Sequence, residues 1–510
     1  MNGFFDVPKG NGGVRPILNL ADDSEVGESL NAYIKIDDPE ACNVEYIQQL
    51  EIIERIRSVG KGGWLWCKDL KWGFNNLPIA RRDTRYLAFE FDKKKWCYQV
   101  MPMGLTSAPN FFTEFMFFPI WAIKDANPDI FYLTLPKEEI LVDVFRKDSD
   151  IREEGENVII SLIDNYLDDI FGGHPDKLKA LLQSDLVDRK LIELGLEAQT
   201  EKQKGPSQSI DLLGKNYNTI TQRVKLTEKH YKKYTTYVEA ILSEERVTVK
   251  TFLKVIGKLR YAGSIYRPLN AFVRSLEKWV HTKKNRRWFK GVYQLNLRSW
   301  INITKPVRRD FVACLRMLKM AHEKGASFES FRMNKGEEKT YDVTIYTDAS
   351  GSDKLGIGGI ASTGEYYQNR WSDIELCEEG QKDIQWRELV GVFVMIAAMR
   401  KQWKGKRVHI YTDNNPVKYW LVNRRSDISR QDCQVLINQI AQWEIEEEMY
   451  LWFDHIKGEE NIAADALSRY YKDPLEKAPF ECNKEIDCTN GLRLANNLTA
   501  TTAYDFINNK

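Results

Sequence analysis

Two adjacent acids, Asp168 and Asp169, follow an apolar run at residues 158–163 and precede a shorter one that stops at Gly172-Gly173. This pattern predicts two buried strands joined by a hairpin with both carboxylates at its tip. Neighbouring carboxylates repel each other unless a cation joins them, and their oxygens suit Mg²⁺. Taken alone, the same residues are also compatible with a polar turn that binds no metal.

A third acid stands at the end of another candidate strand. Residues 64–69 are rich in apolar side chains and end in Asp69. A strand that delivers an acid near the hairpin tip would complete the set of carboxylates that a metal pair needs.

A second set of acids lies in the last third of the chain. Asp348 and Asp413 end the predicted strands 343–348 and 407–413, and Glu388 and Asp465 lie in predicted helices. In-line cleavage of a phosphodiester uses two metal ions about 3.5–4 Å apart, one to activate the attacking water and one to stabilise the leaving oxygen. One carboxylate from each of two strands and two helices can converge on such a pair. Any one of these acids alone could be a surface residue.

The elements that must position these acids alternate in type along the chain. Residues 4–20 predict two short strands joined by a turn at 9–13, residues 45–58 a surface helix, and residues 85–91 a strand. Pro109 suits the first turn of a helix, and residues 178–194 predict an amphipathic helix. Residues 125–156 are charged and interrupted by prolines, which indicates a surface insertion without an assigned function.

Composition restricts the class of protein. The chain has 510 residues, 43% hydrophobic and 29% charged, which predicts three or so soluble domains. No apolar run is long enough for a membrane span, and no secretory signal is visible. Eight cysteines without a Cys-x-x-Cys pair indicate reduced, intracellular thiols. Neither a zinc knuckle, an Asp-Ser/Thr-Gly protease signature nor a zinc-binding integrase head is found.

The net charge of +1 conceals a strongly basic region. Residues 246–310 contain 17 Lys and Arg against two acids, Glu277 and Asp310, a local net charge of +15. Such a stripe favours contact with a phosphate backbone, with Lys254, Lys258 and Arg260 available for a duplex. A solvated helical face is the alternative, and packing is the favoured role for Trp279, Trp288 and Trp300.

The first set of acids resembles the polymerase core of reverse transcriptases. Tyr166, Asp168 and Asp169 match the Tyr-x-Asp-Asp hairpin of that family, and Asp69 with Phe74 matches its upstream strand. Residues 101–111, Met-Pro-Met-Gly-Leu-Thr-Ser-Ala-Pro-Asn-Phe, closely match another family segment. Residues 212–214 are similar to the primer-grip turn.

The resemblance implies roles for five further positions. Arg15 would hold the incoming triphosphate, Lys202 would lie near it, and Tyr166 belongs to the hairpin. Phe74 would lie beneath the sugar and exclude a 2′-hydroxyl. Gly104 would let the backbone approach template and nucleotide.

The family often has Asp and then Arg shortly after Arg15, whereas this chain has Asn19 and Ala21. Relatives usually carry more sequence before this hairpin, so we expect a fragment or a start inside a longer reading frame.

The second set of acids resembles ribonuclease H, through the segments Thr-Asp-Ala-Ser, Arg-Glu-Leu, Tyr-Thr-Asp-Asn and Ala-Asp-Ala-Leu-Ser around the four carboxylates. The resemblance implies that His455, expected on a flexible loop, shuttles protons and aids product release. Residues 251–274 resemble the thumb of DIRS-type retroelements, with LTR-type relatives as the alternative.

These observations predict an α+β, multidomain chain with a right-hand polymerase followed by a ribonuclease H domain with a mixed sheet. The expected boundaries are 1–224 for fingers and palm, 225–338 for a basic thumb and connection, 339–471 for ribonuclease H, and 472–510 for a polar tail or linker.

The predicted function is RNA-directed DNA polymerase with ribonuclease H activity, in the cytoplasmic particle or the nucleus. Asp69, Asp168 and Asp169 would bind one pair of Mg²⁺ ions, with Mn²⁺ as a substitute, and Asp348, Glu388, Asp413 and Asp465 another. Predicted partners are an RNA template, a DNA primer, the RNA–DNA hybrid, deoxynucleoside triphosphates, and other retroelement proteins such as a structural protein, recombinase or integrase. The alternatives are a non-catalytic nucleic-acid-binding remnant, or a chain in which only the ribonuclease H half is active.

Overall fold

The computed structural model describes residues 2–8, 14–21, 29–34, 44–145, 150–281, 286–289, 292–332, 341–373, 383–470, 475 and 478–507. The chain divides into two units, Met1–Arg223 and Val224–Lys510. Helices and strands are mixed in both units, which confirms the predicted α+β class. In the described ranges, no helix combines the length and apolar character needed to cross a membrane.

In its described residues, the first unit contains short strands and four α-helices. Its strands are β1 (Gly3–Pro8), β2 (Val14–Asn19), β3 (Trp64–Asp69), β4 (Ala88–Phe91), β5 (Lys94–Cys97), β6 (Tyr132–Pro136), β7 (Ile151–Glu154), β8 (Asn157–Ser161), β9 (Ile163–Tyr166), β10 (Asp169–His174), β11 (Lys204–Ser207), β12 (Ser209–Leu212) and β13 (Lys215–Asn218). Its helices are α1 (Gln49–Ser58), α2 (Ala108–Ala126), α3 (Pro128–Phe131) and α4 (Lys177–Glu193).

A four-stranded antiparallel sheet forms the centre of this unit, in the order β11-β3-β10-β9. Its apolar side chains, among them Trp66, Ile163 and Ile170, are buried with Phe112 of α2 and Val187 of α4. Burial of this core holds β3 and β10 side by side, so the acids at the ends of both strands lie at the same edge.

The structure confirms the N-terminal hairpin, the helix that begins near Pro109 and the helix predicted at residues 178–194. β1 pairs with β2 in antiparallel register from Gly3 opposite Asn19 to Pro8 opposite Val14. The predicted turn at residues 9–13 lies outside the described residues. Pro109 lies in the first turn of α2, and α4 matches the predicted helix 178–194 within a residue.

The apolar run 158–163 is not one strand, as predicted, but two. β8 pairs with β6 and β7, whereas β9 pairs with β10 in the central sheet. The chain changes sheets at Leu162, whose N–H donates to the carbonyl of Phe131 at 2.7 Å. Continuous hydrophobicity cannot reveal this change, because both strands are buried.

Residues 125–156 are not only a surface insertion. β6 and β7 flank β8 in a three-stranded sheet with its own core of Ile140, Val158 and Ile160. The helix predicted at residues 45–58 is present as α1, but its predicted exposure at the surface is wrong. α1 buries charged side chains such as Glu51 and Arg55 as well as its isoleucines. The predicted strand 85–91 begins as a 3-10 turn, Thr84–Leu87, and becomes extended only in β4.

The second unit joins a helical segment to a larger sheet. Its strands are β14 (Arg223–Leu226), β15 (Arg246–Thr248), β16 (Arg286–Phe289), β17 (Val292–Leu295), β18 (Trp300–Asn302), β19 (Ala326–Ser327), β20 (Val343–Ala349), β21 (Gly356–Ala361), β22 (Glu365–Arg370), β23 (Arg407–Thr412), β24 (Tyr450–His455) and β25 (Lys484–Glu485). Its helices are α5 (Glu228–Ser243), α6 (Val249–Gly263), α7 (Leu269–Val280), α8 (Lys305–Lys324), α9 (Glu329–Arg332), α10 (Ile384–Met399), α11 (Asn415–Asn423), α12 (Gln431–Glu447), α13 (Ile462–Ser468) and α14 (Thr489–Ile507).

The described residues of the basic region form α6, α7, the start of α8 and the short strands β15 to β18, and its two acids bind residues of the same region. Glu277 accepts hydrogen bonds from Arg260 at 2.8 Å and from Arg274 at 3.0 Å. Arg260 is therefore already paired with an acid, whereas the ammonium of Lys254 lies 5.2 Å from the ring centre of Tyr237.

The three tryptophans of this region differ in environment. The indole of Trp279 donates to Asp310 at 2.9 Å, consistent with its predicted packing role. Trp300 is instead 54% exposed beside the guanidinium of Arg246. The side chain of Trp288 lies outside the described residues.

The six-stranded sheet has the order β24-β23-β20-β21-β22-β25. β20, β23 and β24 run parallel, and β21 lies antiparallel between β20 and β22, which confirms the predicted mixed sheet. α10 and α13 both pack against β20 and β21. At Gly358 of β21 a Cβ would lie 2.3 Å from the Cβ of Leu467, so only glycine permits α13 to approach this closely.

Residues 478–507 form structure where a polar tail was expected. β25 adds to the sheet beside β22, and α14 packs against α10 and α12 with Leu492 and Ala495 buried. The indole N–H of Trp386 in α10 donates to Oγ1 of Thr499 at 3.1 Å. Small and polar residues carry the helical spacing of α14, so its buried face has little hydrophobic signal in the sequence.

Replacing Thr499 with valine should destabilise the second unit by about 1–3 kcal/mol, because the buried indole N–H of Trp386 loses its acceptor. Thermal unfolding of the full chain measures the loss of stability. Hydrogen exchange of the backbone amides of α10 assigns that loss to the second unit. Thr344→Val makes the same substitution at a half-buried threonine of β20 and is the matched control, which should change stability much less. Equal stability of both variants would contradict the importance of this bond.

Candidate active sites

The first candidate site is the edge of the central sheet where β3 ends and β10 begins. Asp69 and Asp169 are register partners, and Asp169 also pairs with Tyr166 across the hairpin. Leu167 adopts a φ of +51° in the two-residue turn, and the carbonyl of Asp168 accepts the N–H of Leu70 at 2.7 Å. The hairpin predicted from the sequence is therefore present, with all three acids at one edge.

The glycines after the hairpin allow the sheet to pack. A Cβ on Gly172 would lie 2.5 Å from the ring of Trp66, and one on Gly173 would lie 2.7 Å from the carbonyl of Trp64. Any larger residue would push β10 away from β3 and separate Asp169 from Asp69.

Like charge and burial dominate the electrostatics of this edge. Burial, followed by the charges of Asp168 and Asp69, raises the pKa of Asp169 to about 6. The ammonium of Lys202, which the sequence predicted near a triphosphate, lies 2.8 Å from Oδ2 of Asp69. Among the described residues, the three acids do not form a group whose ligand atoms all lie within 4.8 Å of one another. Lys202 thus neutralises one acid of an open site.

The predicted nucleotide-side residues have defined surroundings. Phe74 packs edge-to-face on Phe112 with ring centroids 5.3 Å apart, and it follows Gly73, where a Cβ would lie 3.4 Å from Oδ2 of Asp168. Tyr166 stacks on Tyr46 at 5.0 Å. Both rings are therefore held beside the acidic hairpin.

Gly104 and Arg15 are less directly connected to the acids. Gly104 has a φ of +110°, and a Cβ there would lie 2.3 Å from the carbonyl oxygen of Leu18. The glycine is thus required by the close approach of β2, in addition to any role towards a ligand. Arg15 lies on β2, and its side chain is outside the described part of the chain.

The second candidate site is built from four elements of the six-stranded sheet. Asp348 lies near the end of β20, Glu388 in the second turn of α10, and Asp413 directly after β23. Ligand atoms of these three acids lie within 4.8 Å of one another. Asp465, on α13, is close enough that its charge raises the pKa of each of the other three. The structure therefore brings together all four acids predicted from the sequence.

Burial makes this second site electrostatically strained. Desolvation, with repulsion from Asp413 and Asp465, raises the pKa of Asp348 to about 6. Glu388 is 4% exposed, and burial followed by the charges of Asp348 and Asp413 raises its pKa well above the usual range. Burial and the charge of Asp465 raise the pKa of Asp413 too. Such a cluster favours a bound cation or a proton.

Several polar neighbours hold these acids in place. Ser468 donates to Oδ2 of Asp348 at 2.5 Å, and Arg469 pairs with Asp465 at 2.6 Å. Asn461 donates to the carbonyl of Thr347 at 3.0 Å, next to Asp348. None of these three residues was predicted to have a role, although Ser468 and Arg469 follow Asp465 by three and four positions and so lie on its side of a helix.

His455 lies nearer the sheet than expected. It is the last residue of β24 rather than part of a flexible loop, and its Nε2 lies 3.0 Å from the backbone carbonyl of Asp413. Because a carbonyl only accepts, this nitrogen carries a proton. The imidazole is thus positioned beside the acids by a strand end.

The second site fits a divalent cation. Oε2 of Glu388 is buried and has no hydrogen-bond partner among the described residues. An oxygen-only set of carboxylates is the donor type that Mg²⁺, Ca²⁺ and Mn²⁺ prefer. Asp348, Glu388 and Asp413, with Asp465 beside them, would be its ligands.

Two family models match the chain. Residues 7–217 match the model described as reverse transcriptase (RNA-dependent DNA polymerase), and residues 340–471 match the model described as RNase H. Both families depend on divalent metal ions. A comparison with curated proteins found no match.

Similar solved structures come from foamy virus. One is the protease-reverse transcriptase dRH in complex with double-stranded DNA, at 14% identity and a TM-score of 0.47, covering 89% of this chain and 65% of that one. The foamy viral protease-reverse transcriptase with double-stranded DNA has 14% identity, a TM-score of 0.42, and coverages of 89% and 77%. The same protein with an RNA/DNA hybrid has 14% identity, a TM-score of 0.34, and coverages of 92% and 73%. The present chain thus spans less than two thirds of the first of these proteins.

Asp348→Asn should stabilise the second unit in the absence of metal at pH 7 by about 1–3 kcal/mol. The folded pKa of Asp348 is raised, so its contribution to stability is present below about pH 4 and lost as the pH rises through about 6. The neutral amide removes that loss, and the gain should vanish near pH 4. Thermal unfolding in EDTA at both pH values measures it.

The matched control for this measurement is Asp427→Asn, which removes an exposed acid of the same unit. Destabilisation by Asp348→Asn at pH 7, or a gain of equal size in Asp427→Asn, would contradict the proposed repulsion.

Proposed function

We propose that this chain copies RNA into DNA and cleaves the RNA strand of the resulting hybrid, because residues 7–217 match a reverse transcriptase model and residues 340–471 match an RNase H model. The observation that carries this proposal is the assembly of seven acids into two separate sites, one inside each matched region. The proposed substrates are an RNA template, a DNA primer, deoxynucleoside triphosphates and the RNA–DNA hybrid. A retroelement of the DIRS type, inside a cell, is the proposed source.

In the polymerase half, Asp69 and Asp168 would hold Mg²⁺, with Asp169 as a neighbouring ligand. When bound, two Mg²⁺ ions would neutralise charge at the attacking and leaving oxygens, here and in the ribonuclease H half. The residues of the chain supply position: the register of β3 and β10 sets the spacing of the acids, and Phe74 and Tyr166 line the same edge. Lys202 would exchange its bond with Asp69 for contact with the triphosphate when nucleotide binds.

In the ribonuclease H half, Asp348, Glu388, Asp413 and Asp465 would hold the metal ions. His455 donates to the carbonyl of Asp413 and would accept or release a proton beside the leaving group. Cleavage of RNA in the hybrid would depend on groove shape and 2′-hydroxyls rather than on base sequence.

A chain in which only the ribonuclease H half is active is the second candidate. It is favoured by a difference between the two sites. Ligand atoms of Asp348, Glu388 and Asp413 lie within 4.8 Å of one another, whereas the three acids of the first site form no such group and Asp69 is paired with Lys202. A functional test of each half separately distinguishes the two candidates.

Asp168→Asn should abolish primer extension on an RNA template and leave cleavage of a labelled RNA–DNA hybrid intact. Glu388→Gln should do the reverse, since each variant removes one carboxylate from one site. Extension and cleavage are measured on the same preparation with Mg²⁺, so each variant controls for the folding of the other. Absence of extension in the unsubstituted chain, with cleavage present, would favour the second candidate.

Phe74→Val should increase the incorporation of ribonucleotides relative to deoxynucleotides by at least about tenfold, because a smaller side chain leaves room for a 2′-hydroxyl. Competition between the two nucleotide types in single-nucleotide extension measures the ratio. Phe115→Val, in the same core, is the control for general loosening. An unchanged ratio would assign Phe74 to core packing alone.

A further inference from the structure

A buried arginine lies behind the strand that leads to the polymerase acids. Arg55 of α1 is 2% exposed, and its Nη1 donates to the carbonyl of Ser161 at 2.5 Å. Its Nη2 donates to Oδ2 of Asp164 on β9 at 2.9 Å. Asp164 comes four residues before Asp168, so Arg55 binds the last residue of β8 and the second residue of β9, the strand that leads into the hairpin.

Further charges complete the surroundings of this guanidinium. Its Nη2 also lies 3.2 Å from Glu51 and 3.2 Å from Asp150, and Asp150 pairs with Lys124 of α2 at 2.5 Å. All five of these side chains are buried. Burial alone would lower the pKa of Arg55, but Asp164, Asp150 and Glu51 raise it above its ordinary value, so the group stays charged. The position of a buried charge with several partners is narrowly defined, because displacement leaves ions unpaired.

Among these partners of Arg55, Asp150 comes from the segment 125–156, to which no function could be assigned from the sequence. Asp150 contacts Arg55 through its carboxylate and accepts the N–H of Ser161 through its backbone carbonyl at 2.7 Å. The ring of Phe145 lies 5.3 Å from the guanidinium carbon. The same segment flanks β8, the strand that precedes β9. The segment therefore contacts β8 and Arg55, which in turn binds Asp164 of β9.

We propose that Arg55 and Asp150 are positioning residues for polymerisation, and that the segment 125–156 supports the acidic hairpin from behind. The inference rests on the proposed polymerase function. Neither residue lies at the edge that carries Asp69, Asp168 and Asp169; they act through Ser161 and Asp164, which fix the direction in which β9 enters the turn. A displacement of about 1 Å in a reacting group can lower a rate by about 100-fold, so such support affects turnover and not only folding.

Asp150→Asn tests this inference, since it removes the charge and keeps the shape. The rate of primer extension per active site should fall about tenfold or more, with cleavage of the RNA–DNA hybrid unchanged. A burst experiment separates the two quantities that matter: its amplitude counts active sites, and its rate reports turnover at each. Asp143→Asn is the matched control, because Asp143 is an exposed acid of the same segment; it should leave amplitude and rate unchanged.

Two results would overturn the inference. A smaller amplitude with an unchanged rate per site would mean that the cluster serves folding alone, and an unchanged amplitude and rate would mean that it serves neither. If Asp150→Asn gives no burst at all, the Lys124→Gln variant is measured instead, because it removes the other ion pair of the Asp150 carboxylate. A fall of about threefold or more in its extension rate per active site supports the inference, and an unchanged rate overturns it.

The reference for both variants is the unsubstituted chain. If it cleaves hybrid without extending a primer, the polymerase function fails, and the positioning role fails with it. If instead the unsubstituted chain extends primers normally and the Asp150→Asn variant does so at the same rate, only the positioning role fails.

Discussion

Repulsion between carboxylates is the constraint on which both candidate sites depend. In each, acids that would separate in water are held together by packed strands and helices, and burial raises the pKa of Asp169 and of Asp348 to about 6. The stability of the surrounding sheet opposes this repulsion until a cation neutralises it. The tight contacts behind both sites, at Gly172 and at Gly358, leave the surrounding sheet little room to relax.

The two sites meet the same constraint in different ways. The polymerase acids lie at an open edge, where Lys202 already neutralises Asp69. The ribonuclease H acids are enclosed by β20, β23, α10 and α13, and Ser468 and Arg469 each bind one of them. An open edge suits a site that must admit a nucleotide and a primer end in turn, whereas an enclosed cluster suits a site that acts on one strand passing over it.

Much of this arrangement could be predicted from residue patterns, and the exceptions share a cause. An acid at the end of an apolar strand is visible in a sequence, which is why Asp69, Asp348 and Asp413 could be placed at strand ends. The helix α1 and the segment 125–156 were predicted to be at the surface because their charges indicate solvent, but Arg55, Glu51 and Asp150 are buried by pairing with one another. α14 was missed for the complementary reason, since its buried face includes Ala495 and Thr499, which are too small or too polar to produce a strong hydrophobic pattern. Periodicity reveals burial by hydrophobicity, and neither ion pairs nor close packing of small residues produces that signal.

The position of α14 also bears on the order in which the chain matures during synthesis. The central sheet of the first unit is complete once β11 has been made, so that unit can fold while the remainder is still being translated. The second unit contains its four acids by residue 465, yet the helix that covers α10, the carrier of Glu388, follows only at Thr489–Ile507. A nascent chain would therefore complete the fold of its first unit well before that of its second.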